Sequence, residues 1–197
     1  MKKIIVTVLL FAMAAAAAYC QTIGKFDEEK VQDTPLYKSL MAELSEADQN
    51  FRRELTLRRE NPFLTENEVA ELISESAKNP GGARVKDLQE ENKKRQAEYN
   101  TLSQANPPSD EQKKRIDELS QMQKKSAANL ENVQESMTKS MQDLFVAKQA
   151  ALDAQIAKAC EAVAGEKKLT VIVLKSAVLF GGVDVTEDVL AKLPASL

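Results

Sequence analysis

The residues of this chain best able to do chemistry are cationic and come in short runs: Arg52-Arg53, Arg58-Arg59, Lys93-Lys94-Arg95, Lys113-Lys114-Arg115 and Lys124-Lys125. Such runs attract anions, so the chemistry open to them is contact with acidic polypeptide or with anionic lipid headgroups. Acidic neighbours (Glu90, Glu91, Glu98, Asp117 and Glu118) offset most of this charge, and ordinary solvation of helix surfaces is the competing reading. Catalysis has no comparable support. The chain has no histidine, the commonest general base and metal ligand. Its two cysteines, Cys20 and Cys160, cannot supply a zinc-site spacing. Gly81-Gly82 lacks the lysine and hydroxyl residue of a phosphate loop, and Asn79-Pro80-Gly81-Gly82 reads as a turn. The carboxylates alternate with lysines as they do on solvated helix faces. The expectation is no enzyme activity, no cofactor and no metal.

The elements that carry the basic runs are helical. From Asp110 to Ala164 the chain runs 55 residues without glycine or proline, enough for a helix roughly 80 Å long. Ile116, Leu119, Leu130, Val133, Met137, Met141 and Leu144 recur mostly three and four apart, which gives the apolar stripe of a helix lying along another helix. A helix after Pro35 carries Leu36, Leu40, Leu44, Ala47, Phe51 and Leu55 on one face and is broken at Asn61-Pro62. Thr65 and Glu68 form a capping box for a short helix bearing Val69, Leu72, Ile73 and Ala77, which ends at the Asn79–Gly82 turn. The next helix carries Val85, Leu88, Tyr99 and Leu102, with Asn92 and Arg95 interrupting the stripe. Asn106-Pro107-Pro108 then reverses the chain, and Ser109 or Asp110 caps the long helix.

These lengths predict a long antiparallel helical hairpin with its tip near Pro107, over residues 36–164, with residues 61–82 as a side-branch. Lys93, Lys94, Arg95, Lys113, Lys114 and Arg115 then lie in the outer half as a candidate basic patch. Asn92, Arg95, Gln123 and Ser126 stand where a tight coiled coil would carry leucine or isoleucine, so the arm is expected to be pliable.

The chain ends differ in kind. Thr22 to Asp27 reads as a strand anchored by Ile23 and Phe26. Leu169 to Leu174 and Ala177 to Phe180 read as a buried strand pair, followed by a short helix from Thr186. Three short strands are marginal alone, so pooling them between subunits is expected, through Ile23, Phe26, Val171, Val173, Val178 and Phe180. The fold class is therefore α+β, mainly α, with a small β body at residues 21–35 and 165–197. Lys2, Lys3 and the uncharged stretch Ile4–Ala18 read as a secretory signal peptide cleaved near residue 20; the bulky Tyr19 disfavours lipidation at Cys20. Without Lys2 and Lys3 the chain has 25 basic and 30 acidic residues, a net charge of −5, which argues against nucleic-acid binding. Cys160 reads as a small residue on a buried helix face.

Three stretches resemble the Skp, or OmpH-like, periplasmic chaperones. They are IGKFDEEKVQDTPLYKSL, the arm from SDEQKKRIDEL through AKACEAVAGEKKL, and, most specifically, VIVLKSAVLFGGVDVTEDVLAKL with its Asp184–Leu190 segment. The resemblance covers most of the chain after the signal peptide apart from Asn61 to Gly82. It implies a periplasmic homotrimer whose strands form a shared β body and whose helical arms enclose a cavity. Such a protein holds unfolded outer-membrane proteins without ATP. Well-known members are basic whereas this chain is acidic, which bears on any contact with anionic lipid. The rival reading is a periplasmic coiled-coil adaptor or spacer that docks one folded partner through the hairpin tip.

Overall fold

The computed structural model describes residues 22–197; the expected signal peptide and Cys20 lie outside them. The elements in chain order are β1 (Ile23–Phe26), a 3-10 helix (Glu28–Asp33), α1 (Pro35–Glu60), α2 (Glu66–Lys78), α3 (Ala83–Ser103), α4 (Asp110–Lys167), β2 (Val171–Leu174), a 3-10 turn (Lys175–Ala177), β3 (Val183–Asp184) and α5 (Thr186–Leu190). The protein is mainly α, with one small parallel sheet. The described residues divide into two compact units, residues 22–43 with 146–197, and residues 44–145.

Local chemistry explains the helix ends. Thr34 Oγ1 accepts from the Tyr37 amide at 3.2 Å, so α1 starts with a hydroxyl cap and Pro35 in its first position. At α2 the Thr65 hydroxyl accepts from the Glu68 amide and the Glu68 carboxylate accepts from the Thr65 amide, a complete capping box. Ser109 repeats this at α4: its hydroxyl accepts from the Gln112 amide at 3.2 Å, and the Gln112 carbonyl accepts from the Ser109 amide at 2.8 Å.

The far end of α4 departs from expectation. The helix passes through Gly165 and stops at Lys167. Lys168 turns left-handed with φ 52, its amide bonds the Gly165 carbonyl, and the Leu169 amide bonds the Ala164 carbonyl at 2.9 Å. That is a Schellman ending in which lysine takes the position glycine usually fills. Leu169, the next residue, packs against the core, and this burial offsets the strain.

In the first unit the sheet order is β2-β1-β3, with both neighbours parallel to the central β1. Ile23 pairs with Val171, Phe26 with Leu174 and Gly24 with Val183. One face is covered by Leu152, Ile156, Ala159 and Val163, spaced four, three and four along α4, together with Val31, Val185 and Val189. Cys160 packs at the margin of this core, and burial pushes its thiol up. A Cβ on Gly24 would lie 2.8 Å from Leu169 and 3.0 Å from Ile172, so glycine permits the close approach of β1 to this layer.

The expected strand at Ala177–Phe180 is absent. The chain leaves β2 in the 3-10 turn, crosses β1, and pairs on its opposite edge as β3. Gly181 and Gly182, at φ 84 and 78, make the bend that returns it. Apolar composition marked this run as strand. With β2 on one edge of β1 and β3 on the other, residues 177–180 have no edge of β1 left to join.

In the second unit α2 lies on α3 with Val69 and Leu72 against Val85 and Leu88, joined by Leu64. Burying each such leucine stabilises by about 1.5–3 kcal/mol. The ion pairs around it, including the bidentate Arg84–Glu71 contact, are solvent-exposed and screened, so they add little to stability beside this burial. The apolar face therefore holds α2 in place, and polar contacts fix its register.

Candidate functional site

Two surfaces can bind. The first is the uncovered side of the sheet. By strand alternation Ile23, Lys25, Val171 and Val173 lie opposite the core face. Ile23, Val171 and Val183 remain substantially exposed, and in the crossing loop Leu179 and Phe180 are 104% and 98% exposed. Parallel sheets are almost always covered on both faces, so a bare apolar face on this one marks a contact surface. Among the expected subunit-contact residues, Ile23, Val171 and Phe180 are exposed, and Val173 and Val178 are half-buried. Phe26 is placed differently: at 2% exposure it fills the core of its own protomer and has no surface to offer a neighbour.

A polar network ties the strand ends beneath that surface. The Thr186 hydroxyl accepts from the Asp27 amide at 3.0 Å and donates to Asp184 at 2.7 Å. Lys175 bridges to Asp27 at 3.1 Å and to Asp184 at 3.8 Å. Bonds from Thr186 and the nearby Lys175 cation hold the Asp184 carboxyl below its usual range. The ends of all three strands and the start of α5 are fixed together, so the Leu179–Phe180 loop hangs between anchored points.

The second surface is built by the side-branch. Asn92 and Arg95 do not weaken a helix seam; they grip the connection from α1 to α2. Asn92, 4% exposed, accepts from the Phe63 amide at 2.9 Å and donates to the Glu60 carbonyl at 3.2 Å. Arg95 donates to the Phe63 carbonyl at 3.0 Å and forks onto Glu68 at 2.7 and 2.8 Å. Tyr99, one turn further, packs its ring 5.7 Å from that of Phe63. The spacing of three and four on α3 puts all three side chains on one face. Arg95, aided by the Thr65 amide and hydroxyl, holds the Glu68 carboxyl down to about 2. Polar residues at apolar positions were the available sequence signal, but their partner was a loop and not a helix.

This grip sets residues 64–69 against α4 and leaves a cleft of 280 Å³. Leu64, Val69 and Met122 supply its apolar lining, with Arg58, Glu66, Lys125 and Asn129 around them. Arg58 bonds Glu54 and Glu66 at 2.9 and 2.8 Å, and Asn129 donates to Glu66 at 2.9 Å.

The basic runs are divided by these partners. Arg95 is spent on Glu68 and Glu91, and Arg115 forks onto Glu98 at 2.8 Å and also reaches Glu118. Those hydrogen bonds raise both guanidinium pKa values. Lys113 bonds Asp110. Lys93, Lys94 and Lys114 are exposed. The six residues therefore do not form one uniform cationic patch: the arginines cross-link helices and the lysines face solvent. No group of acidic residues, cysteines or histidines able to hold a metal occurs among the described residues.

The model of the family described as outer membrane protein (OmpH-like) matches residues 64–193. The chain belongs to the OmpH-like family. That match takes in α2, so it extends the family likeness over most of the side-branch, which the three resembling stretches do not cover, and it begins after the 23–40 stretch. No curated protein and no solved structure matches the chain. Proteins of the OmpH-like family are chaperone-type proteins of the periplasm. Among the described residues, no helix is long and apolar enough to cross a membrane.

Proposed function

We propose that this OmpH-like protein is an ATP-independent periplasmic holdase that binds unfolded outer-membrane proteins and prevents their aggregation. The observation that carries this reading is the family match across residues 64–193. In this reading residues 1–20 are a cleaved signal peptide, 21–35 with 165–197 form the β body, and 36–164 form a hairpin arm with the 61–82 branch. Two features support the arm: the Glu98–Arg115 fork across the turn at Pro107, and the ion pair of Glu43 with Lys148. The bare sheet face and the Leu179–Phe180 loop support a homotrimer in which neighbouring copies cover each other's β layer. Contact with anionic lipid falls to Lys93, Lys94 and Lys114, because Arg95 and Arg115 are committed to carboxylates.

Rapid dilution of a urea-unfolded β-barrel membrane protein, followed by light scattering, tests the proposal. Suppressed scattering without nucleotide is expected. Unchanged scattering, together with stoichiometric binding of a single folded partner, would establish the adaptor reading instead.

A further inference from the structure

The side-branch builds something a bare helical pair lacks, a cleft with a fixed wall. Its polar wall is internally paired: Arg58 is held by Glu54 and Glu66, Asn129 by Glu66, and the Thr65 hydroxyl by Glu68. No buried side-chain polar atom lacks a partner among the described residues, so the wall has no unmet demand for a polar cofactor. At 280 Å³ the cleft falls below the about 300–1,000 Å³ typical of small-molecule sites and suits a single large side chain. Its floor is apolar, and Met122 adds an adaptable thioether. Lys125, exposed at the mouth, forms no ion pair with the described residues. Arg58 is matched by Glu54 and Glu66, which leaves Lys125 as the lining cation without a carboxylate partner among the described residues.

We propose that this cleft is a client-anchoring subsite, which takes a large apolar side chain of an extended polypeptide when a carboxylate follows it. The apolar group fills the space over Leu64, Val69 and Met122, and the carboxylate meets Lys125. This assignment rests on the holdase reading and gives the branch its role: the Asn92–Arg95 grip on residues 60–63 holds the cleft open in advance of binding, so little ordering entropy is lost on capture. Burying one aromatic side chain carries most of the affinity, while an exposed ion pair adds at most about fivefold. The subsite therefore selects apolar segments first and charge context second.

The test uses the full mature chain and three fluorescent ten-residue unstructured peptides that differ at two central positions: Phe-Asp, Phe-Lys and Ser-Asp. Anisotropy is expected to rank Phe-Asp tightest, Phe-Lys about fivefold weaker and Ser-Asp at least about tenfold weaker. Lys125→Glu is expected to reverse the Asp-over-Lys preference. Met122→Trp, which fills the cleft, is expected to weaken Phe-Asp binding about tenfold with helicity by circular dichroism unchanged. Equal affinities for Phe-Asp and Phe-Lys, or indifference to Lys125→Glu, would overturn the subsite. Should Met122→Trp lose helicity, the exposed Lys125 change alone decides. A chain that binds Phe-Asp selectively yet fails to keep the barrel protein soluble retains the subsite and loses the holdase reading. One that suppresses aggregation with no peptide preference does the reverse.

Discussion

Replacing Asn92 by leucine separates two accounts of α3 by the sign of its effect. If position 92 sat in a coiled-coil seam, leucine there would stabilise, because asparagine at such a position costs stability. The structure predicts the opposite. Asn92→Leu strips the hydrogen bonds to the Phe63 amide and the Glu60 carbonyl. The Phe63 side is fully enclosed, and a buried donor left unpaired costs about 1–3 kcal/mol. Glu60 is exposed and its carbonyl can take water, so its loss adds less. Leucine also needs space where Asn92 is already close-packed, which cancels part of its transfer gain. The net expectation is destabilisation by about 2 kcal/mol. Urea unfolding of both proteins at equal protomer concentration measures it, since oligomers make apparent stability concentration-dependent. A variant as stable as the parent, or more stable, would refute the grip.

Three further outcomes follow from other parts of the molecule. Glu68 has its pKa depressed, so its contribution is complete above the unfolded value near 4.5 and is lost as pH falls toward about 2; the urea-unfolding midpoint should fall less steeply between those pH values in Glu68→Gln than in the parent. Gly24→Ala puts a Cβ 2.8 Å from the Leu169 side-chain tip and 3.0 Å from Ile172 Cγ1; the leucine tip can swing aside, so a destabilisation of about 1 kcal/mol is expected, measured by thermal unfolding. Phe180→Asp, at a fully exposed loop position, should leave helicity intact while lowering the mass in sedimentation equilibrium; an unchanged mass would count against the β-body interface.

The helices were legible because their ends are written in side chains. The Thr65–Glu68 box, the Ser109 cap and the Asn79–Gly82 turn all stand where the residues put them. Misreadings arose where a residue's partner lies far along the chain. Arg95 and Asn92 looked like seam defects because Phe63 and Glu60 are about thirty positions away. The Ala177–Phe180 run has strand composition, but pairing depends on which edges of β1 are free. The glycine-free run set the expected end of the arm at residue 164, yet the helix continues through Gly165 and Lys168 takes the left-handed turn with Leu169 anchored behind it. The cleft has no local signature at all. Leu64, Val69 and Met122 become neighbours only after the branch folds onto α3.

Native mass spectrometry of the mature chain mixed with an unfolded β-barrel membrane protein, in the absence of nucleotide, tests the central claim most directly. The account predicts a complex of three chains with one client. A single chain bound to the client, or three chains that leave the unfolded protein to precipitate, would contradict it.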